Sequence, residues 1–201
     1  MERAKIASLP FGRMSQRDSA QPRFRAAGPD DAAPVAALHA DSWRRHYRGA
    51  YADSYLDGDV RGDRLAVWSS RLAAPTGDVT VLAEDGGGLA GFVHVIVDED
   101  AEWGSLIDNL HVAHDRRRTG IGTALLAHAG RGTVERAAHP AAYLWVLEQN
   151  AAAQRFYRAC GGAGRDKALV PPPGGEPSRL TGSPFGLRIA WPDVSVLAGL
   201  I

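Results

Sequence analysis

The stretch RRRTGIGTALL, residues 116–126, restricts the fold more than any other part of the sequence. It sets arginines and glycines directly before an apolar helical run, and a strand-like segment, SLIDNLHV (105–112), precedes it. Glycines let a backbone approach a ligand closely, and the first N–H groups of a helix have no partner within that helix. The stretch therefore predicts a strand, a loop and a helix whose start binds an anion such as phosphate.

Two common nucleotide-binding motifs do not fit this stretch. Gly120 and Gly122 lack the third glycine of a dinucleotide fingerprint, and no lysine completes a Walker loop. A solvated basic turn that caps the helix is the alternative interpretation. The chain carries 23 basic and 23 acidic residues, so a polyanion site has to be local and the overall charge gives no indication of nucleic-acid or membrane binding.

Length and composition favour one domain in a reducing compartment. The 201 residues, 45% of them hydrophobic, are enough to bury one sizeable core. The single cysteine, Cys160, excludes an internal disulfide, so we expect a cytoplasmic protein, and we expect no metal site. Residues 1–21 lack the apolar core of a secretory signal and are expected to form a weakly ordered extension, with Met14 as an alternative start, before a single domain over 22–201.

Hydrophobic periodicity predicts a mixed α/β order of elements. Strands are expected at 22–27, twice within 78–100 around an Asp-Gly-Gly-Gly turn, and at 105–112, 142–148 and 184–191. Helices are expected from residue 31, at 59–72, at 120–137 and at 151–160. The three consecutive prolines at 171–173 make 171–183 a loop, because proline cannot join the interior of a sheet.

The first two helices are defined by caps and apolar stripes. Asp30 is the expected N-cap of the first helix, and His39, which lies in its apolar stripe, is interpreted as structural. The side chains expected to face inward are Val35, Leu38, Trp43 and Tyr47 on the first helix and Val60, Leu65, Trp68 and Leu72 on the second.

Two motifs occur after successive strands. They read Arg117-x-x-Gly120-x-Gly122 and Asn150-x-x-Ala153-x-x-Phe156-Tyr157, and Cys160-Gly161-Gly162 follows the second. At this spacing the chain resembles the GNAT superfamily of acyl-coenzyme A-dependent N-acyltransferases over residues 22–191. The resemblance implies an α/β fold of the GNAT type, with a mostly antiparallel, twisted mixed sheet and helices on both faces.

The resemblance also implies a site for acetyl-coenzyme A. The pyrophosphate would lie on the loop and helix start, and the pantetheine arm would run beside the end of the strand 110–112. A backbone N–H near Val112 could stabilise the thioester oxyanion. The residues implied to bind coenzyme A are Leu110, His111, Val112, Arg117, Arg118, Thr119, Gly120, Ile121, Gly122, Thr123, Asn150, Ala153, Phe156 and Tyr157.

Members of the family transfer the acyl group directly to an amine, so Cys160 is not needed as a nucleophile and is expected to be a small buried residue. Tyr157 matches the tyrosine that protonates the departing thiolate; the alternative makes it a core aromatic, as Phe156 would then be. The resemblance does not identify the base. Asp108 and Glu148 are the preferred candidates because their strands should flank the cleft; the further candidates are Glu84 and His111.

In the family, acceptor specificity comes largely from the first two helices and their connection, here 42–57. Trp43, Tyr47 and Tyr51 are the candidate substrate contacts, and Tyr51, which lies in the connection, is favoured. The long loop before the last strand could cover the acceptor site or mediate a homodimer. A small-molecule amine, a peptide N-terminus and a protein lysine remain open as acceptors, with slight support for a small one.

The expected function is acetyl-coenzyme A-dependent N-acetylation of a primary amine in a ternary complex. Two alternatives stay open: a regulatory module that binds acyl-coenzyme A without turnover, and a transferase that uses a longer acyl chain.

Overall fold

A computed structural model describes residues 21–74 and 77–201 of the chain. Within these residues a seven-stranded sheet has the order β1-β2-β3-β4-β5-β7-β6. The strands are β1 Arg23–Ala26, β2 Val79–Asp85, β3 Gly88–Asp100, β4 Gly104–Val112, β5 Ala142–Leu147, β6 Ala163–Leu169 and β7 Phe185–Trp191. The helices are α1 Ala32–His46, α2 Asp53–Leu56, α3 Val60–Ala73, α4 Ile121–Val134, α5 Ala151–Ala159 and α6 Ser195–Ala198.

The sheet is mixed and mostly antiparallel, as predicted. Every neighbouring pair of strands is antiparallel except β4 and β5, which run parallel. Helices cover both faces. The predicted extension, with Met14, lies outside the described residues except for residue 21. No helix in the described part of the chain is both long and apolar enough to cross a membrane.

Two apolar layers hold the helices on the sheet. Helices α4, α5 and α6 pack on one face, where the buried side chains include Val93, Ile107, Leu125 and Leu197. Helices α1 and α3 pack on the other face, where the buried side chains include Val35, Trp68, Leu82 and Phe92. Cys160 is buried in the first layer, as expected for a small core residue.

Strand β6 and the short helices α2 and α6 are not predicted from the sequence. All residues of β6 are exposed, because it is an edge strand with no buried face, and its sequence therefore lacks the alternation that marks a half-buried strand. Helices α2 and α6 are single turns, which are too short to establish a hydrophobic period.

Two predictions about the first helices are wrong in detail. A 3₁₀ turn precedes α1, so Asp31, not Asp30, is at its N-cap position. The Asp31 carboxylate does not cap α1 but accepts the Gly28 N–H at 2.8 Å, which closes the 3₁₀ turn. On α3 the buried positions repeat every four residues, so Arg64 faces inward at 9% exposure and Leu65 is 39% exposed. The Arg64 guanidinium is tolerated there because it donates to the Asp63 carboxylate at 2.6 Å and packs over the Trp43 ring of α1.

Candidate functional site

Strands β4 and β5 pair only where they begin. Ser105 faces Ala142 and Leu106 faces Tyr143; beyond them the ladder between the two strands ends. Strand β4 stays paired with β3 as far as Val112, and β5 stays paired with β7. The two strands therefore diverge toward their carboxyl ends, and the edge of β4 that faces β5 keeps backbone groups that an extended ligand could pair with.

The loop after β4 has the form of an anion site. Gly120 adopts a left-handed conformation, with φ +88°, and a Cβ built there would meet nothing within 4 Å. Helix α4 begins at the next residue, and no side chain caps it. Its first N–H groups are thus available at a spot where backbone is open to a ligand.

The three consecutive arginines have different environments. The Arg116 guanidinium is bound by the carboxylates of Asp85 and Asp115, which ties the loop to the β2–β3 hairpin. Arg117 and Arg118 are exposed and form no hydrogen bond or ion pair with the residues that the structure describes. Two of the three arginines are therefore available for an anion, and the third is structural.

The glycine and asparagine of the two motifs also have structural roles. A Cβ at Gly122 would lie 3.3 Å from Phe156 Cζ and 3.7 Å from Val112 Cγ2, so the missing side chain lets α4 pack closely on α5 and β4. The Asn150 carboxamide caps α5 by accepting the Ala153 N–H at 3.1 Å. This capping bond explains the Asn-x-x-Ala spacing, and contact of these residues with coenzyme A stays a prediction.

Two tyrosines and a carboxylate from three different elements interact electrostatically. Tyr157 on α5 is half-buried; burial raises the pKa of its hydroxyl, and the neighbouring Tyr47 raises this pKa further. Burial raises the pKa of Tyr47, which follows α1, to about 12, and the charge of Asp108 on β4 adds to the effect. Both phenols therefore keep their protons at neutral pH and are available as donors.

The predicted base candidates have different surroundings. Asp108 Oδ2 accepts hydrogen bonds from Arg71 Nη1 at 2.6 Å and from the side-chain amide of its neighbour, Asn109, at 2.5 Å. Glu148 lies at the end of β5, half-exposed. Glu84 does not reach the cleft: it is on β2 and is paired with Arg25 of the edge strand β1.

A histidine pair joins α1 to β4 beside the cleft. His111 Nδ1 lies 2.8 Å from Ser42 Oγ, and its ring is 4.7 Å from the ring of His39. Burial lowers the pKa of His111 to about 4. His39 is 2% exposed and accepts a hydrogen bond from Trp68 Nε1 at its Nδ1, so it is structural, as predicted. His111 is half-buried, and the Ser42 hydroxyl gives its ring a hydrogen-bond partner.

The aromatic residues of the acceptor segment form one cluster. Trp43 and Tyr51 are each 7% exposed, and their rings meet edge to face at 5.0 Å. Trp43 therefore belongs to the core, as its place in the helical stripe indicates. Tyr51, the favoured substrate contact, is buried to the same extent, which leaves it little surface for a ligand. Tyr47 is half-buried and is the most accessible of the three predicted contacts.

The loop 171–183, which we call the strap, docks on the connection between α1 and α2. The backbone N–H of Ala52 donates to Arg179 O and that of Thr181 donates to Ala50 O, both at 2.9 Å. The Arg179 side chain also reaches Asp63 of α3 at 3.0 Å. The strap thus lies against the segment implied in acceptor specificity, and its role as a cover of the acceptor site stays a prediction.

The diverging parallel strands, the glycine loop at a helix start and the capped second helix together form one candidate site between β4 and β5. The family model described as "Acetyltransferase (GNAT) family" matches residues 32–162. The chain therefore belongs to the GNAT acetyltransferase family.

Relatives and solved structures agree with this assignment. The Mycobacterium tuberculosis protein named "Probable N-acetyltransferase Rv2775" is 35% identical over 142 residues, which are 67% of this chain and 76% of that protein. The fold is similar to that of PaiA N-acetyltransferase from Thermoplasma acidophilum, solved in complex with coenzyme A (TM-score 0.65, 18% identity, 85% of this chain and 99% of that one). It is also similar to that of yncA from Salmonella typhimurium, solved with acetyl-coenzyme A (TM-score 0.61, 16% identity, 86% and 94%).

Sequence reasoning missed three contacts near the site: the ion pair of Arg71 with Asp108, the docking of the strap, and the position of Lys167 beside Glu148. The first two join segments far apart in the chain and leave no local pattern. The third depends on the pairing of the edge strand β6 with β7, which the sequence does not predict.

Proposed function

We propose that this protein transfers the acetyl group of acetyl-coenzyme A directly to a primary amine, within a ternary complex and with no covalent acyl-enzyme. The observation that carries the proposal is the divergence of β4 from β5 beside the open loop at Gly120. The buried, single Cys160 suits a reducing compartment, so we place the reaction in the cytoplasm.

The residues present fit coenzyme A. The free β4 edge suits an extended amide-containing arm, and the start of α4 with the exposed Arg117 and Arg118 suits a pyrophosphate. Bound there, acetyl-coenzyme A supplies an acetyl thioester. The residues proposed to hold it are Leu110, His111, Val112, Arg117, Arg118, Thr119, Gly120, Ile121, Gly122, Thr123, Asn150, Ala153, Phe156 and Tyr157.

The transfer reaction needs a proton donor for the leaving sulfur and a hydrogen-bond donor for the carbonyl oxygen of the thioester. The amine nitrogen forms a bond to the thioester carbonyl carbon, the carbon–sulfur bond breaks, and Tyr157 gives its phenolic proton to the leaving sulfur. The proton that the newly bonded nitrogen loses returns to the Tyr157 oxygen, directly or through water, and restores the phenol. Burial raises the pKa of Tyr157, so the proton is present at neutral pH. A thiol with a pKa near 8.5 leaves without much assistance, so the contribution of Tyr157 is modest. A backbone N–H near Val112 is proposed to donate to the carbonyl oxygen.

The amine must be neutral, not an ammonium ion, when it attacks the thioester. Deprotonating an alkyl ammonium of pKa about 10.4 at pH 7 costs about 4 kcal/mol, so a proton acceptor contributes. Asp108, whose charge acts on Tyr47, is the proposed acceptor, directly or through water. Glu148 is the second candidate, at the end of the other strand that borders the cleft.

A thiol-release assay over a panel of primary amines tests the proposal. We expect release of coenzyme A from acetyl-coenzyme A to depend on the amine, and mass spectrometry to find the acetylated product. Longer acyl-coenzyme A donors are run in parallel to define the acyl chain. Tight binding of acetyl-coenzyme A by calorimetry with no amine-dependent release would instead support a regulatory module, and no selective binding over NAD and ATP would refute both.

A further inference from the structure

We propose that the strap is a gate. Its segment 176–181 opens away from the α1–α2 connection as one unit while the rest of the domain stays folded, and the ion pair of Arg179 with Asp63 is the lock that holds it closed. The opening itself does not depend on the proposed function; only its consequence for an acceptor rests on that function.

The docked segment of the strap buries little of its own surface. None of the residues 176–181 is buried, and only Arg179 and Leu180 are half-buried. Two backbone hydrogen bonds join the segment to the connection, from the Ala52 N–H to Arg179 O and from the Thr181 N–H to Ala50 O. A segment with so few buried apolar contacts opens at a lower free energy than the whole domain.

Glycines in the left-handed region flank the docked segment on both sides. Gly175 precedes it with φ +76°, and Gly182 follows it with φ +64°. A Cβ at either position would meet nothing within 4 Å, so no neighbouring group restricts these two residues. Because glycine has wide access to other backbone conformations, both positions can act as hinges for the segment between them.

The side chain of Arg179 holds the segment closed. Its Nη1 donates to Asp63 Oδ1 at 3.0 Å, and its guanidinium lies 4.7 Å from the centre of the Tyr55 ring. The side chains of Arg179 and Asp63 are 28% and 23% exposed, so water screens this ion pair less than a fully exposed one. Within the described part of the chain, Arg179 is the one residue of the segment whose side chain forms an ion pair.

Asp63 keeps other partners when the strap opens. Its Oδ2 accepts the Tyr55 hydroxyl at 2.7 Å and Arg64 Nη2 at 2.6 Å. Tyr55 and Arg64 belong to α2 and α3, which are separate from the strap. Release of Arg179 therefore leaves no unpaired carboxylate in the interior, and this keeps the free energy of opening low.

The docked strap covers Tyr51. Leu180 forms an isolated antiparallel bridge with Tyr51, and its side chain packs on the aromatic cluster that contains Tyr51. Tyr51 is 7% exposed in this arrangement. Opening of the segment removes Leu180 and uncovers this part of the cluster. Because Tyr51 is a predicted substrate contact, the open state is the one in which an acceptor reaches it.

Hydrogen exchange of single backbone amides, followed by NMR, measures the opening. Ala52 and Thr181 report on the docked segment. Ser105, which is buried and donates to Ala141 O at 3.1 Å, reports on the whole domain. In the wild type we expect Ala52 and Thr181 to exchange at least about tenfold faster than Ser105. Equal protection of the three amides would show that the strap opens only when the domain unfolds, and would overturn the proposal.

Arg179→Met removes the lock but keeps an unbranched side chain over the Tyr55 ring. The variant should raise the exchange rates of Ala52 and Thr181 about tenfold, between the effects of losing an exposed ion pair and a buried charged hydrogen bond. Ser105 should change by the same factor, because global unfolding also breaks the pair. If only Ser105 changes, or none of the three does, the pair is not the lock.

Arg48→Met is the matched control. The Arg48 guanidinium binds the carboxylates of Asp53 and Asp57 in the same α1–α2 connection, and it forms no ion pair with the strap among the described residues. Its ion pairs persist when the strap opens, so the exchange of Ala52 and Thr181 should stay at the wild-type rate. A rise equal to that in Arg179→Met would attribute the effect to a loosened connection and overturn the assignment of the lock.

Nitration by tetranitromethane, mapped by peptide mass spectrometry, tests what the strap covers. Tyr51 should be nitrated faster in Arg179→Met than in the wild type, in proportion to the amide exchange. Tyr143 is 6% exposed and packs on Arg188 of β7, so its nitration rate should not change. Equal nitration of Tyr51 in both proteins would overturn the gate. Exchange and nitration decide the proposal even if the thiol-release assay finds no acetylated amine.

Discussion

Replacing Gly120 with alanine tests whether the loop before α4 binds the pyrophosphate of coenzyme A. Gly120 has φ +88°, and a Cβ there meets open space. The substitution therefore adds backbone strain but no clash within the free protein. If a pyrophosphate approaches this backbone, the added methyl group lies in its path, and at least one hydrogen bond from an N–H to a charged oxygen is lost.

The chain offers a matched control in Gly77→Ala. Gly77 has φ +89°, and its Cβ would also meet nothing within 4 Å. A non-glycine residue in the left-handed region costs about 1–2 kcal/mol, so both variants should melt about 2–8 °C below the wild type. A hydrogen bond to a charged group contributes about 1.5–3 kcal/mol, so only Gly120→Ala should also weaken coenzyme A binding, by roughly ten- to a hundredfold.

Calorimetric titration with coenzyme A and thermal unfolding, run on both variants, separate the two effects. If Gly77→Ala and Gly120→Ala lose the same affinity for coenzyme A, the loss follows from lower stability and not from the position of Gly120. Wild-type affinity in a folded Gly120→Ala variant would refute the assignment of this loop to the pyrophosphate.

Three other outcomes are expected. Arg117→Ala should weaken coenzyme A binding and reduce its salt dependence, whereas Arg116→Ala should mainly lower the melting temperature, because its guanidinium is bound to the β2–β3 hairpin; equal affinity losses would contradict this division. Tyr157→Phe should lower kcat about tenfold, because the loss of the phenolic proton slows departure of the thiolate without preventing it, and an unchanged kcat would remove its role as acid. Burial lowers the pKa of His94 and of His111 from 6.5 to about 4, so the fold favours their neutral forms. Stability should be complete above about pH 6.5 and fall toward pH 4 by about 3 kcal/mol per histidine, and a melting temperature that stays flat over this range would contradict the burial of both.

Local patterns predicted the elements that bury one face. The strand at 105–112, the helix that starts after Gly120 and the helix that follows Asn150 are correct to within a few residues, because caps, glycines and apolar periodicity are local properties. Strand β6 was missed because it buries nothing, and its place in the sheet depends on pairing with β7. Leu65 was misplaced because one step along α3 rotates a side chain by about 100°, and the packing against α1 sets the phase.

The environment of the site residues could not be predicted in the same way. The sequence names Asp108 and Glu148 as carboxylates near strand ends, but their partners, Arg71 and Lys167, come from other elements. Tyr51 was favoured as a substrate contact because it lies in a connection, and it is buried because the strap folds over that connection.

The sequence by itself determined that this protein has a loop and a helix start suited to a phosphate-bearing cofactor, since that site is made of backbone and side chains that are consecutive in the chain. Only the tertiary structure decided where the pairing of β4 with β5 ends and which of the three arginines is bound by carboxylates. It also decided that Lys167 is the ion-pair partner of Glu148. Those features are contacts between segments that are distant in the chain, and they depend on how the strands pair and the helices pack, which no local spacing records.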